Sequence, residues 1–459
     1  MKLVSKRTKI VCTIGPASHE VATMVALGAA GMDIARLNFS HGTKADHRES
    51  MRRLASAGRK LGRPFGILQD LQGPKIRVGD LPKMGVFLKE GSEAIFSTAA
   101  FVRPGDIPVT LHSLHHDVKP GEHVLFDDGL LEVRVKRIDG PRIHTEVITG
   151  GILLPHKGLN LPGTSLHIPA LSKKDRDDAI FGASMGVDFI ALSFVRSPND
   201  VKDLRRLLQK TRGGKDIRII AKIEKREAID CFDQILPLVD GIMVARGDLG
   251  IETPAAEVPV VQKQLIRACR EVGTPVIVAT QMLDSMQRNP RPTRAEVSDV
   301  ANAVVEHADA VMLSGETASG KYPVEAVKMM SQTIVNMEGT PFDDLNPLNV
   351  TTPTDEVHAM CFAGRLMVDS LRAKHVFVLG DESLVRLYAS FRPETMVHAL
   401  TKDVHASRVM RLSWGVNPLL VKSLKMSSSI LSSCGVKRGE SYVVLQKEKG
   451  MVRLEAVKA

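Results

Sequence analysis

Short apolar runs alternate along the chain with longer amphipathic, charged stretches. The runs are KIVCTI (9–14), DIARLNF (33–39), FGILQDL (65–71), DFIALSF (188–194), RIIAKIE (218–224), GIMVARG (241–247), PVIVATQ (275–281) and AVMLSG (310–315). Their near-continuous apolar character suits strands buried on both faces, and segments 43–60, 172–185, 198–212, 255–272 and 294–306 have the mixed pattern of crossover helices. Eight such units in order predict an α/β fold, a parallel (β/α)8 TIM barrel.

One spacing breaks the rhythm. Residues 72–187 separate the third run from the fourth, opening with the Gly73-Pro74 break and continuing as short alternating runs punctuated by Gly and Pro, such as GEHVLFDDGLLEVRVKRIDG. This predicts a small β-barrel lid domain at 74–166 inserted into the third βα loop, with Asp127-Asp128-Gly129 forming a type I′ hairpin turn. The helix 172–185 then returns the chain to the barrel with Ser172 as N-cap. The barrel is expected over 1–73 and 167–340. A polar, Pro-containing linker (TPFDDLNPLNVTTPTDE) leads to an open α/β domain at 341–459, with strands HVFVLG (375–380), MVHAL (396–400) and PLLV (418–421) and a closing hairpin.

Composition narrows the class. Apolar residues make up 43% and charged residues 25%, as in an ordinary soluble protein, and aromatics are only 4%, so the core is built from aliphatic side chains. The net charge of +10 (62 Lys+Arg, 52 Asp+Glu) suits nucleic acid, an anionic membrane or a pocket for phosphorylated metabolites. The basic residues are spread out, without aromatic-interleaved stripes or a nucleic-acid module, so no nucleic-acid partner is expected. No run reaches the length of a membrane span and the N-terminus does not read as a signal peptide, so neither membrane nor export is expected. Five scattered cysteines without a C-x-x-C pair read as free thiols in a reducing cytosol, giving a cytoplasmic location.

In such barrels the working residues stand at the carboxyl ends of the strands. Those ends here carry Arg36 and Asn38, Asp70, Ser193, Lys222 and Glu224, Asp248, Thr280, and Ser314 with Glu316. Lys222 and Glu224, two apart on a strand, aim to the same side, and Asp248 ends the neighbouring strand. Two carboxylates in one dry pocket call for a cation between them, and all-oxygen ligation suits Mg²⁺ or Mn²⁺. Lys222 beside it would hold a second anion, for which a phosphoryl group is suited. Taken alone, Lys222 and Glu224 also read as a structural ion pair; the strand-end position and the third partner favour the metal. Gly247 in the RGD turn lets backbone N–H groups approach an anion such as a carboxylate, with the Thr280 hydroxyl as a further donor. Arg36 and Asn38 add a guanidinium clamp and an amide. His41 reads either as a nucleotide contact or as a cap of the following helix.

Together KIVCTIGPAS (9–18), ARLNFSHG (35–42), GPKIR (73–77), KIE (222–224), MVARGDLG (243–250), ATQML (279–283), NPRPTRAEVSDVANAV (289–304) and MLSGETASGKYPVEAV (312–327) resemble the pyruvate kinase family over barrel and insert, about three quarters of the chain. The resemblance implies the last step of glycolysis: phosphoryl transfer from phosphoenolpyruvate to ADP, giving pyruvate and ATP. It implies that Glu224 and Asp248 ligate Mg²⁺, and that Lys222 and Arg36 neutralise the phosphoryl group in flight. Gly247, Asp248 and Thr280 would hold the substrate carboxylate; Arg36, Asn38, His41, Arg77 and Lys157 would meet ADP. Thr280, or a water fed by Ser314 and Glu316, would return a proton to the enolate. A homotetramer is also implied. Barrels using phosphoenolpyruvate in carbon-carbon or carbon-phosphorus chemistry are the rival enzymatic class, and a catalytically silent scaffold is the non-enzymatic one.

Two departures from the commoner family pattern carry information. Where relatives ligate K⁺ near Asn38, Ser40 and Asp70, this chain has Leu71, Gln72, Lys75 and Val78, a set resembling the branch that needs no monovalent cation. Lys75 is expected in a crowded polar spot within reach of Asp70, its ammonium replacing K⁺, so that no K⁺ requirement is expected. In the last domain the sugar-phosphate loop is replaced by LGDESLVR (379–386), whose Asp381 and Glu382 disfavour a phosphorylated effector there.

Overall fold

The computed structural model describes residues 4–127, 129–164, 168–345, 354–448 and 451–459. Eight strands close into a parallel barrel in chain order: Lys9–Thr13 (β1), Ile34–Asn38 (β2), Gly66–Asp70 (β3), Phe189–Leu192 (β4), Arg218–Ile223 (β5), Gly241–Ala245 (β6), Val276–Ala279 (β7) and Ala310–Leu313 (β8). Each falls inside one of the eight apolar runs. Because strand residues alternate between faces, two apolar layers result. Val11, Ile34, Leu68, Phe189, Ile220, Met243, Ile277 and Met312 fill the interior, and their neighbours pack outward against the helices.

The crossover helices start where local chemistry starts them. Helix Lys44–Leu61 is capped by Thr43 with Asp46 reaching back, helix Lys173–Met185 by Ser172 with Asp175, and helix Arg294–Val305 by Thr293 with Glu296. Each box satisfies N–H groups that the first turn leaves without partners. Ser172 is therefore the cap expected of it. The cap before Lys44–Leu61 is Thr43, which corrects the capping alternative for His41.

Between β3 and β4 lies the insert: a six-stranded sheet, mostly antiparallel, and a separate two-stranded ribbon joining Val86–Leu88 to Gly151–Leu153. It has its own apolar core, including Phe96 stacked on Phe126 with ring centroids 4.9 Å apart. The hinge into it needs glycine: Gly73 has φ 71°, and a Cβ there would meet the Phe194 ring at 2.6 Å. The turn at 127–129 includes Asp128, which lies outside the described residues, as do 165–167 at the far hinge and 346–353 of the linker.

Residues 375–458 form a five-stranded sheet, parallel except for the closing hairpin Ser441–Glu448 with Met451–Lys458. Segment 404–412 reaches from it under the barrel, and Val409 and Leu412 join the barrel's interior cluster. Four aspartates serve the same amino end. Asp33, Asp188, Asp240 and Asp309 immediately precede β2, β4, β6 and β8. Each accepts an N–H from the preceding strand, at Ile10 (3.1 Å), Ile67 (2.8 Å), Ile219 (2.9 Å) and Val276 (3.1 Å). Cations neutralise them: Lys6 and Arg63 on Asp33, Arg408 on Asp188, Arg205 on Asp240 and Arg392 on Asp309. At this joint Trp414, fully buried, is flanked by the guanidiniums of Arg7 and Arg392 at 5.2 and 5.3 Å from its ring centroid.

Candidate active site

At the carboxyl end of the barrel a cavity of about 500 Å³ is lined by Arg36, Asn38, Ser40, Asp70, Leu71, Lys75, Lys222, Glu224, Asp248 and Thr280, among others. Its wall is laid down by strand register. Arg36 and Asn38 share one face of β2, Asp70 ends β3, and Lys222 precedes Glu224 by two positions at the end of β5.

Lys222 is the electrostatic centre. Its Nζ lies 2.8 Å from Glu224 Oε1 and 3.4 Å from Asp70 Oδ1, and donates to Ser193 Oγ at 2.8 Å. Burial opposes its charge, but Asp70, Glu224 and Asp248 outweigh burial and hold the ammonium above its usual range. Asp70 also pairs with Arg36 at 2.7 Å; despite burial, Lys222 and Arg36 keep its carboxyl below the usual value. Arg36 also donates to Thr13 Oγ1 at 2.8 Å.

Glu224 is fully buried, and burial together with the nearby Asp248 charge pushes its carboxyl up against the pull of Lys222. Oε2 accepts the Phe194 N–H at 2.7 Å. Oε1 is buried and faces the Lys222 ammonium as an ion pair, with no other partner among the described residues. Buried polar atoms are rarely left so. An acceptor partnered only by an ammonium, beside a second carboxylate, is an all-oxygen donor set that fits a hard divalent cation.

Across the mouth, Arg246 opens a short helix, Arg246–Glu252, and ties the loops after β6 and β7 together. It reaches Asp299 at 2.7 Å and the Thr280 carbonyl at 2.8 Å. Thr280 Oγ1 accepts the Gly247 N–H at 2.7 Å, so the three residues expected around a carboxylate, Gly247, Asp248 and Thr280, are adjacent. Thr280 and Gln281 have φ of 71° and 54°; for a β-branched residue this is an uncommon conformation, held by these contacts. Glu316 is buried and accepts from Leu283 N (3.1 Å) and Ser314 N (2.8 Å). Burial raises its carboxyl above the usual value despite those N–H groups.

The remaining expected residues are placed apart from this cluster. His41 is exposed, Arg77 donates to the His156 carbonyl at 2.8 Å, and Lys157 pairs with Asp127 at 2.6 Å on the insert. Lys75 corrects one expectation. It borders the cavity, but it is exposed and its ammonium forms no ion pair among the described residues; Asp70 is answered by Arg36 and Lys222. In the Gly73 turn the Lys75 N–H donates to the Gly73 carbonyl at 2.9 Å. In the last sheet Asp381 caps helix Glu382–Ser390 and pairs with Lys447, while Glu382 is gripped by Arg218 at 2.6 Å. Sequence reasoning missed Arg246 as the anchor of the Thr280 turn. It also missed the four aspartates, although an Asp directly before alternate barrel strands is visible in the sequence.

Known proteins share this fold. The profile described as "Pyruvate kinase, barrel domain" matches residues 5–327. A pyruvate kinase from Geobacillus stearothermophilus is 45% identical over 421 residues, covering 90% of this chain and 71% of the relative. "Pyruvate kinase 2" of Synechocystis is 45% identical over 434 residues, 92% of this chain and 72% of the relative. A crystal structure of a pyruvate kinase from Cryptosporidium parvum superposes with a TM-score of 0.93 at 32% identity, covering 99% of this chain and 96% of that one. Fold and site define a (β/α)8 phosphotransferase. The chain belongs to the pyruvate kinase family.

Proposed function

We propose that this chain transfers the phosphoryl group of phosphoenolpyruvate to ADP, giving pyruvate and ATP. The observation that carries the reading is Lys222, buried at the end of β5 between Asp70, Glu224 and Ser193 and facing the same cavity as Arg36. Two fixed cations around one small volume suit a reaction whose charge is spread over transferring oxygens.

Glu224 and Asp248 would hold the divalent cation, Mg²⁺ or Mn²⁺. Bound there, it would supply charge to the substrate oxygens. Gly247, Asp248 and Thr280 hold the substrate carboxylate, fixing the phosphate against Lys222 and Arg36. The bond between phosphorus and the enol oxygen breaks as one forms to the terminal oxygen of ADP, and the enolate left behind takes a proton at carbon. Thr280, or water organised by Ser314 and Glu316, gives that proton; burial raises the Glu316 carboxyl above its usual value. Asn38, His41, Arg77 and Lys157 meet the nucleotide, the last two from the insert. The insert, 74–166, acts as a lid that excludes water, and 341–459 serves assembly, in a homotetramer with a cytoplasmic location. No helix among the described residues is long and apolar enough to cross a membrane.

Catalysis without K⁺ belongs to the same proposal. Lys75 borders the cavity beside Asn38, Ser40, Asp70 and Leu71, and swinging it inward would bring an ammonium where a monovalent ion would otherwise be needed. Pyruvate formation from phosphoenolpyruvate and ADP, followed by coupled reduction of pyruvate, tests the whole reading. Turnover requiring Mg²⁺ or Mn²⁺ and indifferent to KCl at constant ionic strength is expected. No ADP-dependent pyruvate formation would refute the activity, and strong stimulation by KCl would refute the role of Lys75 alone.

A further inference from the structure

Glu224 and Asp248 are carried by different segments, and neither holds the other in place. Glu224 follows β5 directly and is fixed by the Phe194 N–H. Asp248 lies in the first turn of helix Arg246–Glu252, and its carboxylate has no hydrogen bond or ion pair among the described residues. Where that carboxylate stands is therefore decided by where the helix stands. The helix is only about two turns long, with Leu249 and Glu252 as its buried residues.

Each end of this short helix is tied to a different loop. Arg246, at its start, reaches Asp299 and the Thr280 carbonyl. Glu252, at its end, meets the ammonium of Lys225, the residue directly after Glu224. The two side chains of this pair are 9% and 2% exposed, so water and salt screen the contact little, and neither has another ion pair among the described residues. Arg226 and Glu257 join the same two segments at 3.3 Å, but both are half exposed and such a pair holds little. Past the last β5–β6 register pair, Ile223 with Val244, the buried contact is thus the firm link between the loop of Glu224 and the helix of Asp248.

We propose that the Lys225–Glu252 pair is a positioning element, which sets the separation of the Glu224 and Asp248 carboxylates and with it the affinity for the divalent cation. The proposal rests on the reading of those two carboxylates as metal ligands. Lys225 acts through the helix and is not itself a ligand, and groups behind the ligands commonly govern metal affinity in this way. The sign of the effect separates positioning from charge. Lys225 and Asp248 border the same cleft between barrel and insert, so by charge alone removing the ammonium would tighten the binding of a dication. Loss of positioning loosens it.

Binding of Mn²⁺ to the full chain without substrates, read from the electron paramagnetic resonance signal of the free ion, tests the proposal. Lys225→Met should raise the Mn²⁺ Kd by about tenfold or more. Lys225→Arg preserves the ion pair and should stay within about threefold of the parent. Because Lys225→Met leaves Glu252 buried and unpaired, the double variant Lys225→Met, Glu252→Met is measured beside it. The double variant removes both charges, so it folds without a stranded acid and carries no net change in local charge, and it should show the same loss. Glu224→Gln should weaken binding more than either. The proposal is overturned if Lys225→Met or the double variant binds Mn²⁺ as tightly as the parent or more so, or if Lys225→Arg loses as much as Lys225→Met. If Glu224→Gln binds like the parent, the metal reading of the mouth itself fails and the proposal falls with it.

Discussion

At the carboxyl end of the barrel, Lys222 stands among three anions and Glu224 keeps an acceptor without a hydrogen bond. At the amino end, Asp33, Asp188, Asp240 and Asp309 each hold a strand N–H and a cation. Both ends bury charge in the same eight strands. The difference lies in how the carboxylates are met. An aspartate that accepts a backbone N–H and a guanidinium has its lone pairs used and fixes strand to strand, whereas an acceptor left open in a dry wall is costly unless something else fills it. The four lower aspartates thus serve stability, and the upper cluster has the open geometry that suits a ligand.

That contrast can be broken most sharply at Lys222. Lys222→Met should lower turnover by roughly 10⁴-fold, about 5.5 kcal/mol of transition-state stabilisation, measured by coupled pyruvate formation, with unfolding little changed. Activity within tenfold of the parent would remove Lys222 from the chemistry. Asp309→Ala should do the reverse: a loss of about 3–5 kcal/mol in denaturant unfolding, because Arg392 is left buried and unpaired, with turnover of the folded fraction preserved. If turnover fell while stability held, the division between the two ends would fail.

A pH series sharpens it further. Lys9 is buried at the lower end, donating to the Val416 carbonyl at 2.8 Å, and burial, opposed by Asp33, brings its pKa down to about 7. Between that value and the ordinary lysine value the unfolded chain binds the extra proton. The group therefore adds stability as pH rises above about 7, by up to roughly 1.4 kcal/mol per pH unit. Lys9→Met should flatten this slope in unfolding measured between pH 7 and 10; an unchanged slope would mean the lysine stays charged. The smallest effect belongs to Ser193→Ala. It removes a hydroxyl bridging Lys222 to the Leu71 carbonyl at 2.7 Å and should lower turnover about tenfold, worth ~1.4 kcal/mol, with little change in substrate affinity.

The barrel was legible because its signal is local. Apolar runs the length of a strand, caps such as Ser172-Asp175, and polar residues at strand ends are properties of neighbouring residues. The upper site was legible for the same reason, since Arg36, Asp70, Lys222 and Glu224 stand at strand ends and closure of the barrel brings them together; Asp248, expected to end β6, stands instead in the first turn of the helix Arg246–Glu252 that follows it. What escaped depends on partners far along the chain. Arg246 becomes an anchor only because Asp299 and Thr280 come to it, and the positive φ of Thr280 follows from those contacts. Lys75 lines the same cavity as Asp70, as its spacing suggested, but it is exposed where a crowded polar spot was expected, because burial is set by the chain that folds around the Gly73 turn and not by spacing. The four aspartates were legible in principle, as a recurring Asp before alternate strands, but their meaning lies in which strand they cap.

The single tryptophan of the chain has a consequence for observation. Trp414 lies fully buried at the seam between barrel and last sheet, its ring between two guanidiniums and its indole N–H without a hydrogen-bond partner among the described residues. An indole so placed is an intrinsic optical gauge. Its emission should report separation of these two parts without a label or an engineered residue, so that a loosened seam can be distinguished from a melted barrel in the same cuvette.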